Sequence, residues 1–175
     1  MLRAGGVVLH ATEGVWGLAA LASDDAAIER LLAIKERERD KGLIVIGADP
    51  ADFSAELAAL PEEAREEVAA TWPGAVSWVL PNQRYSGWVT GSHQTVAVRV
   101  PGHDQARALC RAAGATLVST SANRAGEPAP TTEEAARAAM GDRVDFVLPG
   151  RTAGRSAPSE VRSWQGEVFR SGTPS

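Results

Sequence analysis

Lysine is almost missing from this 175-residue chain: two residues, Lys35 and Lys41, stand against sixteen arginines. Cysteine is rarer still, and the single Cys110 excludes an internal disulfide and fits a reducing compartment. No stretch approaches the roughly 20 consecutive apolar residues that a membrane helix needs. The opening Met1-Leu2-Arg3-Ala4-Gly5-Gly6 runs at once into Val7-Val8-Leu9, too short and too strand-like for a secretory signal, so a cytoplasmic protein without a membrane is expected. The three histidines (His10, His93, His103) lack metal-ligand spacing, and no metal site is expected. Neither a Gly-x-Ser-x-Gly elbow nor a glycine loop ending in Gly-Lys-Ser/Thr occurs, which argues against serine-hydrolase and P-loop chemistry. With net charge −4 the chain is no polycation, so any anion site must be a local concentration of positive charge.

What is present describes an ordinary folded domain. Hydrophobic residues make up 44% and charged residues 23%, no repeat or low-complexity tract interrupts the chain, and one domain over 1–175 is expected. Apolar runs at Val7–His10, Val15–Leu18, Leu43–Ile46, Val76–Leu80, Val96–Val100, Thr116–Ser119, Phe146–Leu148 and Val168–Arg170 read as strands. Ser23-Asp24-Asp25 offers an N-cap before Ile28, Leu31, Leu32 and Lys35 at helical spacing. Two short helices divided near Pro61 are expected between Ala51 and Ala70, and further helices at His103–Ala113 and Thr132–Met140. The His103–Ala113 pattern makes Cys110 a core residue rather than a nucleophile. Strands and helices intermix without strict alternation, which predicts a mixed α/β sheet.

Four segments carry candidate chemistry. Both lysines fall in Lys35-Glu36-Arg37-Glu38-Arg39-Asp40-Lys41, where a compact ammonium is kept although the chain uses arginine elsewhere; a solvated helix end is the plainer reading. Ser119-Thr120-Ser121-Ala122-Asn123 follows an apolar strand and could ring an anion with neutral donors, or could cap its own backbone. Arg99 lies in the apolar strand Val96–Pro101, on the face opposite Val98 and Val100, where a surface arginine is the alternative. Pro158-Ser159-Glu160-Val161 with Val168-Phe169-Arg170 is the fourth. Cations and hydroxyls without a covalent catalytic apparatus suit nucleotidyl transfer, where positioning and charge neutralisation dominate.

In these same segments the chain resembles the TsaC/YrdC family of threonylcarbamoyl-adenylate synthases, in its short single-domain form. His10-Ala11-Thr12-Glu13-Gly14-Val15-Trp16-Gly17 resembles the family's Tyr-Pro-Thr-Glu-x-Val-Tyr-Gly segment, Lys35-Glu36-Arg37 and Lys41-Gly42-Leu43 its Lys-x-Arg and Lys-x-Leu elements, and Ser121-Ala122-Asn123 its Ser-x-Asn element, with Gly126 and Pro128 in the following loop. The resemblance implies an open, twisted, mixed parallel/antiparallel sheet with flanking helices and a concave basic cavity. It implies synthesis of threonylcarbamoyl-AMP and pyrophosphate from ATP, L-threonine and bicarbonate, with magnesium bound to ATP. That step begins N6-threonylcarbamoyladenosine formation at tRNA position 37, completed by a downstream threonylcarbamoyl transferase complex; tRNA or double-stranded RNA is a further implied partner. Carried over, Lys35 and Arg37 would be catalytic; Lys41, Thr95, Ser121, Asn123 and Arg170 would bind ATP; Thr12, Arg99, Ser119 and Ser159 would hold threonine and carbamate. Lys35, with Arg37 and Lys41, would face the triphosphate. Two readings stand as alternatives: a former of carbamoyl-adenylate, and a non-catalytic RNA-binding module. Three departures stand out. His10-Ala11 replaces Tyr-Pro, Gly14 stands where some relatives have threonine, and the family's first helix is lacking before Gly5-Gly6, so an exposed apolar patch near Val7 and Leu9 is expected.

Overall fold

The short apolar runs pair into a nine-stranded sheet in a computed structural model that describes residues 1–124, 126–155 and 159–171. In chain order the elements are β1 (Val8–Ala11), β2 (Trp16–Leu21), α1 (Asp25–Lys35), β3 (Ile44–Ile46), α2 (Ser54–Ala58), α3 (Glu62–Thr71), β4 (Val76–Pro81), α4 (Gly87–Thr90), β5 (Thr95–Arg99), α5 (Asp104–Ala113), β6 (Leu117–Ser121), α6 (Glu133–Met140), β7 (Phe146–Val147), β8 (Glu160–Ser163) and β9 (Val168–Arg170). The strands lie in the order β7-β1-β2-β6-β3-β5-β4-β8-β9. β7–β1, β3–β5 and β4–β8 are parallel and the remaining pairs antiparallel, the mixed arrangement that the intermixed pattern predicts.

Alternation along the strands divides the apolar residues between two faces. One face holds the larger core, with Leu9, Trp16, Leu18, Val45, Val98 and Val118 packed with Ile28, Leu31 and Met140 of α1 and α6. The other face has two halves. At one end Val8, Ala19, Ile46 and Leu117 pack with Cys110 and Ala113 of α5. At the other end the same face turns to small and polar side chains, Gly17, Ser119, Ser121, Ala97 and Arg99, beyond the reach of the α5 cluster. That bare half-face is where the site forms. Cys110 is buried, donates a weak hydrogen bond to the Ile46 carbonyl at 3.7 Å, and is pushed by burial to a pKa of about 12, as a core thiol should be.

Local signals fix most helix starts. The side chains of Asp24, His103 and Thr132 cap α1, α5 and α6 by accepting backbone N–H groups. The end of α1 is different. Glu36 takes a left-handed φ of 54°, the one positive φ at a non-glycine residue among those described. This turns the chain sharply between Lys35 and Arg37.

Two readings need correction. The apolar patch near Val7 and Leu9 does not exist: Val7 and Leu9 are fully buried and Val8 nearly so. The core beside α1 and α6 covers one face of β1, while α5 and Leu2 cover the other. Arg99 is not a surface residue but is buried, because the loops carrying Glu13 and Gly102 close over it. The sequence reading also missed α4, a single turn, and β8, whose Glu-Val-Arg-Ser composition hides a strand held by pairing on both sides. Pro158 lies outside the described residues. No helix among those described is long and apolar enough to cross a membrane.

Leu18 sits at 0% exposure in the larger core, on a strand paired at both edges. Leu18→Ala is expected to lower unfolding free energy by about 2–5 kcal/mol in urea titration, with an unchanged slope.

Candidate active site

A cavity of about 720 Å³ lies over the bare half-face of the sheet. Strand residues Gly17, Ile44, Ala97, Arg99, Ser119 and Ser121 form its floor, and its walls come from the loops after β1, α1 and β6 and from the β8–β9 hairpin. Ten of the eleven nominated residues line it: Thr12, Arg37, Lys41, Thr95, Arg99, Ser119, Ser121, Asn123, Ser159 and Arg170. Lys35 does not.

Positive charge converges on this space. Arg99 donates to Glu13 Oε2 at 2.6 Å, and Glu13 Oε1 accepts the Gly102 N–H at 2.6 Å, so one buried carboxylate ties the β1–β2 loop to β5 and to the segment leading into α5. Withdrawal from water pushes the Arg99 guanidinium down, partly countered by Glu13. Arg170 is lowered by withdrawal from water and then by the Arg99 and Arg37 guanidiniums, so the three cations feel one another. The Nε atoms of Arg37 and Arg99 are buried without a hydrogen-bond partner. Mutually repelling guanidiniums that line one cavity are suited to an anion between them.

Hydrogen-bond accounting separates residues that can reach a ligand from residues that hold the site together. Lys35 belongs to the second group. Its ammonium is buried beneath the end of β6, where its three N–H donors are shared among four oxygens: Ser121 O at 2.5 Å, Asn123 O at 2.8 Å, Ser121 Oγ at 3.2 Å and Asn123 Oδ1 at 3.3 Å. The expectation that Lys35 faces the triphosphate therefore gives way to a tie between the end of α1 and the strand-end loop. Burial, followed by the Arg37 charge, pushes Lys35 from its ordinary 10.5 to about 8, against four oxygens that favour the ammonium.

Asn123 is likewise taken up by its own loop: its amide donates to Arg124 O at 2.9 Å and Glu127 O at 2.7 Å. Asn123 therefore lines the cavity while both hydrogens of its amide close its own loop. Thr12 donates its hydroxyl to Val15 O at 2.7 Å, closing the β1–β2 turn and leaving only acceptor lone pairs. Ser159 and Arg170, assigned by resemblance to opposite ends of the ligand, touch each other: Arg170 donates to Ser159 O at 2.9 Å and Ser159 Oγ at 3.0 Å. Lys41 pairs with Glu38 at 3.1 Å on the exposed rim, and Arg37 donates to Gly42 O at 2.9 Å.

Glu13 was not nominated from sequence, although it stands in the Thr-Glu motif; a carboxylate in an apolar turn between two strands was the available signal. His10 was noted only as a departure, and Phe169, exposed on the rim, only as part of a strand. Among the described residues no group of three or more His, Cys, Asp or Glu side chains could hold a metal.

The family model Sua5_yciO_yrdC, described as "Telomere recombination", matches residues 1–172. A Nitrosococcus oceani protein named threonylcarbamoyl-AMP synthase is 44% identical over 163 residues, covering 93% of this chain and 88% of the relative. Its namesake from Halorhodospira halophila is 46% identical over 170 residues, with 96% and 88% covered. The crystal structure of P. abyssi Sua5 complexed with L-threonine superposes with a TM-score of 0.90 at 29% identity. It covers 97% of this chain, which spans about half (51%) of that longer protein.

Two outcomes are expected. Glu13→Ala leaves Arg99 buried and unpaired, and should cost about 3–5 kcal/mol of stability in denaturant titration. For Lys35, the folded pKa near 8 lies below the unfolded 10.5, so between these values the unfolded chain binds more protons and this group makes stability rise with pH. The stability of Lys35→Met relative to wild type should therefore fall as pH is raised from about 8 to about 10, measured by paired urea titrations.

Proposed function

The chain belongs to the Sua5/YciO/YrdC family, and from that premise we propose that it makes threonylcarbamoyl-AMP from L-threonine, bicarbonate and ATP, releasing pyrophosphate. The observation that carries this reading is the convergence of Arg37, Arg99 and Arg170 on one cavity, above a strand bearing Ser119 and Ser121. A triphosphate and a carboxylate are together the kind of charge that such a cavity neutralises.

The chemistry needs no protein nucleophile. The threonine amine takes up carbon dioxide from bicarbonate as a carbamate. A carbamate oxygen then forms a bond to the α-phosphorus as the bond to the pyrophosphate oxygen breaks, so the leaving group departs with its electron pair. Arg37 and Lys41, flanking the turn after α1, face the phosphates; Ser121, whose oxygen already accepts from Lys35, has its proton left to donate to a phosphate oxygen. Lys35 and Asn123 act as positioning residues that keep Ser121 in place. Arg99, held by Glu13, faces the carboxylate of threonine. Catalysis here is orientation and charge neutralisation at fixed dipoles.

Magnesium enters as the counter-ion of ATP and thus as part of the substrate. The cavity carboxylates do not compose a cage for it: Glu13 is engaged by Arg99 and Gly102, and Glu127 stands on the loop after β6. The product passes to the transferase step that modifies tRNA.

Pyrophosphate release from ATP should require both threonine and bicarbonate, and equal release without threonine would overturn the assignment. Arg37→Ala should lower kcat by about 10²- to 10³-fold, the scale for one preorganised charged donor, while the thermal midpoint shifts little.

A further inference from the structure

His10 replaces the tyrosine of the motif it resembles, and the structure gives it a position that composition would not suggest. The ring is fully buried on β1, on the cavity side of the sheet. Its direct cross-strand partner on β2 is Gly17. With no side chain there, the imidazole reaches over β2 to β6, where Nε2 lies 3.3 Å from Ser119 Oγ, while Nδ1 lies 3.2 Å from Ala11 O. A Cβ at Gly17 would stand 3.4 Å from both His10 Nε2 and Ser119 Oγ and 3.1 Å from Thr120 O, so the glycine keeps the passage open.

The proton positions follow from chemistry. A carbonyl oxygen only accepts, so Nδ1 must carry hydrogen to bond Ala11 O. Burial holds the ring neutral, with its pKa pushed down to about 4. Nε2 is then a bare acceptor, and the Ser119 hydroxyl must donate to it. Ser119 therefore turns lone pairs, not a proton, toward the cavity. Two residues along the same strand Ser121 stands in the opposite setting, its hydroxyl oxygen 3.2 Å from the Lys35 ammonium, a group that only donates.

We propose that His10 is a positioning residue that sets Ser119 as a hydrogen-bond acceptor for a donor group on the amino-acid substrate, an amine N–H or the side-chain hydroxyl, so that adjacent hydroxyls of β6 sort the two ends of the ligand pair. The inference rests on the threonine-dependent reaction proposed above. A serine that can only accept repels carboxylate and phosphate oxygens and welcomes N–H or O–H. The phosphate end is thereby directed to Ser121 and the amino-acid end to Ser119.

The first test is independent of activity. In a two-bond ¹H–¹⁵N spectrum of the wild-type protein at neutral pH, His10 should appear as the neutral Nδ1–H tautomer; a protonated Nε2 would overturn the proposal. The second is kinetic. His10→Leu frees the Ser119 hydroxyl to rotate, and should raise the KM for threonine about tenfold while that for ATP moves less than about twofold; His10→Gln, which keeps an acceptor, should recover most of the loss. Using 2-aminobutyrate in place of threonine separates the two donors: a KM penalty that persists identifies the amine, and one that disappears identifies the hydroxyl. An unchanged threonine KM in folded His10→Leu would overturn the proposal. Should that variant not fold, the spectrum of the wild type still decides. Wild-type protein that releases no threonine-dependent pyrophosphate would instead remove the synthase reading, leaving the tautomer result intact.

Discussion

An ammonium group with no water around it holds this site together. Lys35 ends α1 and shares its three donors among four oxygens of Ser121 and Asn123, so a helix from one layer is tied to the strand end that bears a cavity-lining hydroxyl. Other features depend on that tie. The helix must stop at Lys35, so Glu36 turns left-handed and Arg37 emerges on the cavity side. Asn123 must keep its oxygen toward the lysine, so its amide nitrogen is free to close the loop to Glu127. An arginine would not serve, because a planar fork cannot converge on four oxygens as a compact ammonium can. This accounts for a lysine in a chain that otherwise selects arginine.

The floor of the cavity is sheet, and its chemistry is set by what lies one strand away. Glu13 reaches Arg99 from the β1–β2 loop, His10 reaches Ser119 over Gly17, and Lys35 reaches Ser121 from beneath. Each cavity-facing group thus has its orientation or its proton fixed by a buried neighbour, so little reorganisation is left for the moment when ligand arrives. The cost is borne elsewhere, in three buried polar groups that replace apolar contacts and in guanidiniums that repel until an anion lies between them.

Much of this was legible in the sequence. A continuous apolar run marked β1, alternating runs marked β4 and β5, side-chain caps marked α1 and α6, and the order of the polar segments pointed to one site. What stayed hidden was direction. Sequence spacing places Lys35 and Arg37 together as cations, but only the left-handed Glu36 shows that one points into the protein and the other into the cavity. Alternation correctly put Arg99 opposite Val98, yet could not tell whether that face met water or a closing loop. Asn123 looked like a ligand donor because an amide beside hydroxyls fits an anion; its own loop claims both hydrogens. β8 was missed because its composition is polar, and its strand state comes from β4 and β9 on either side.

The left-handed residue after Lys35 also bears on what holds the end of α1. A glycine would end α1 through local preference alone, whereas Glu36 carries a Cβ that disfavours the conformation it adopts. Nothing in the local sequence Ile34-Lys35-Glu36-Arg37 tells the helix to stop, and its natural tendency is to wind on through Arg37. The turn is closed by backbone bonds of the helix end, Glu36 N–H to Ala33 O at 3.2 Å and Arg37 N–H to Leu32 O at 3.0 Å, and the Lys35 ammonium adds its bonds to the end of β6. The strained residue is thus held from two sides, by the backbone of its own helix and by a strand far away in sequence, and the direction of Arg37 depends on both.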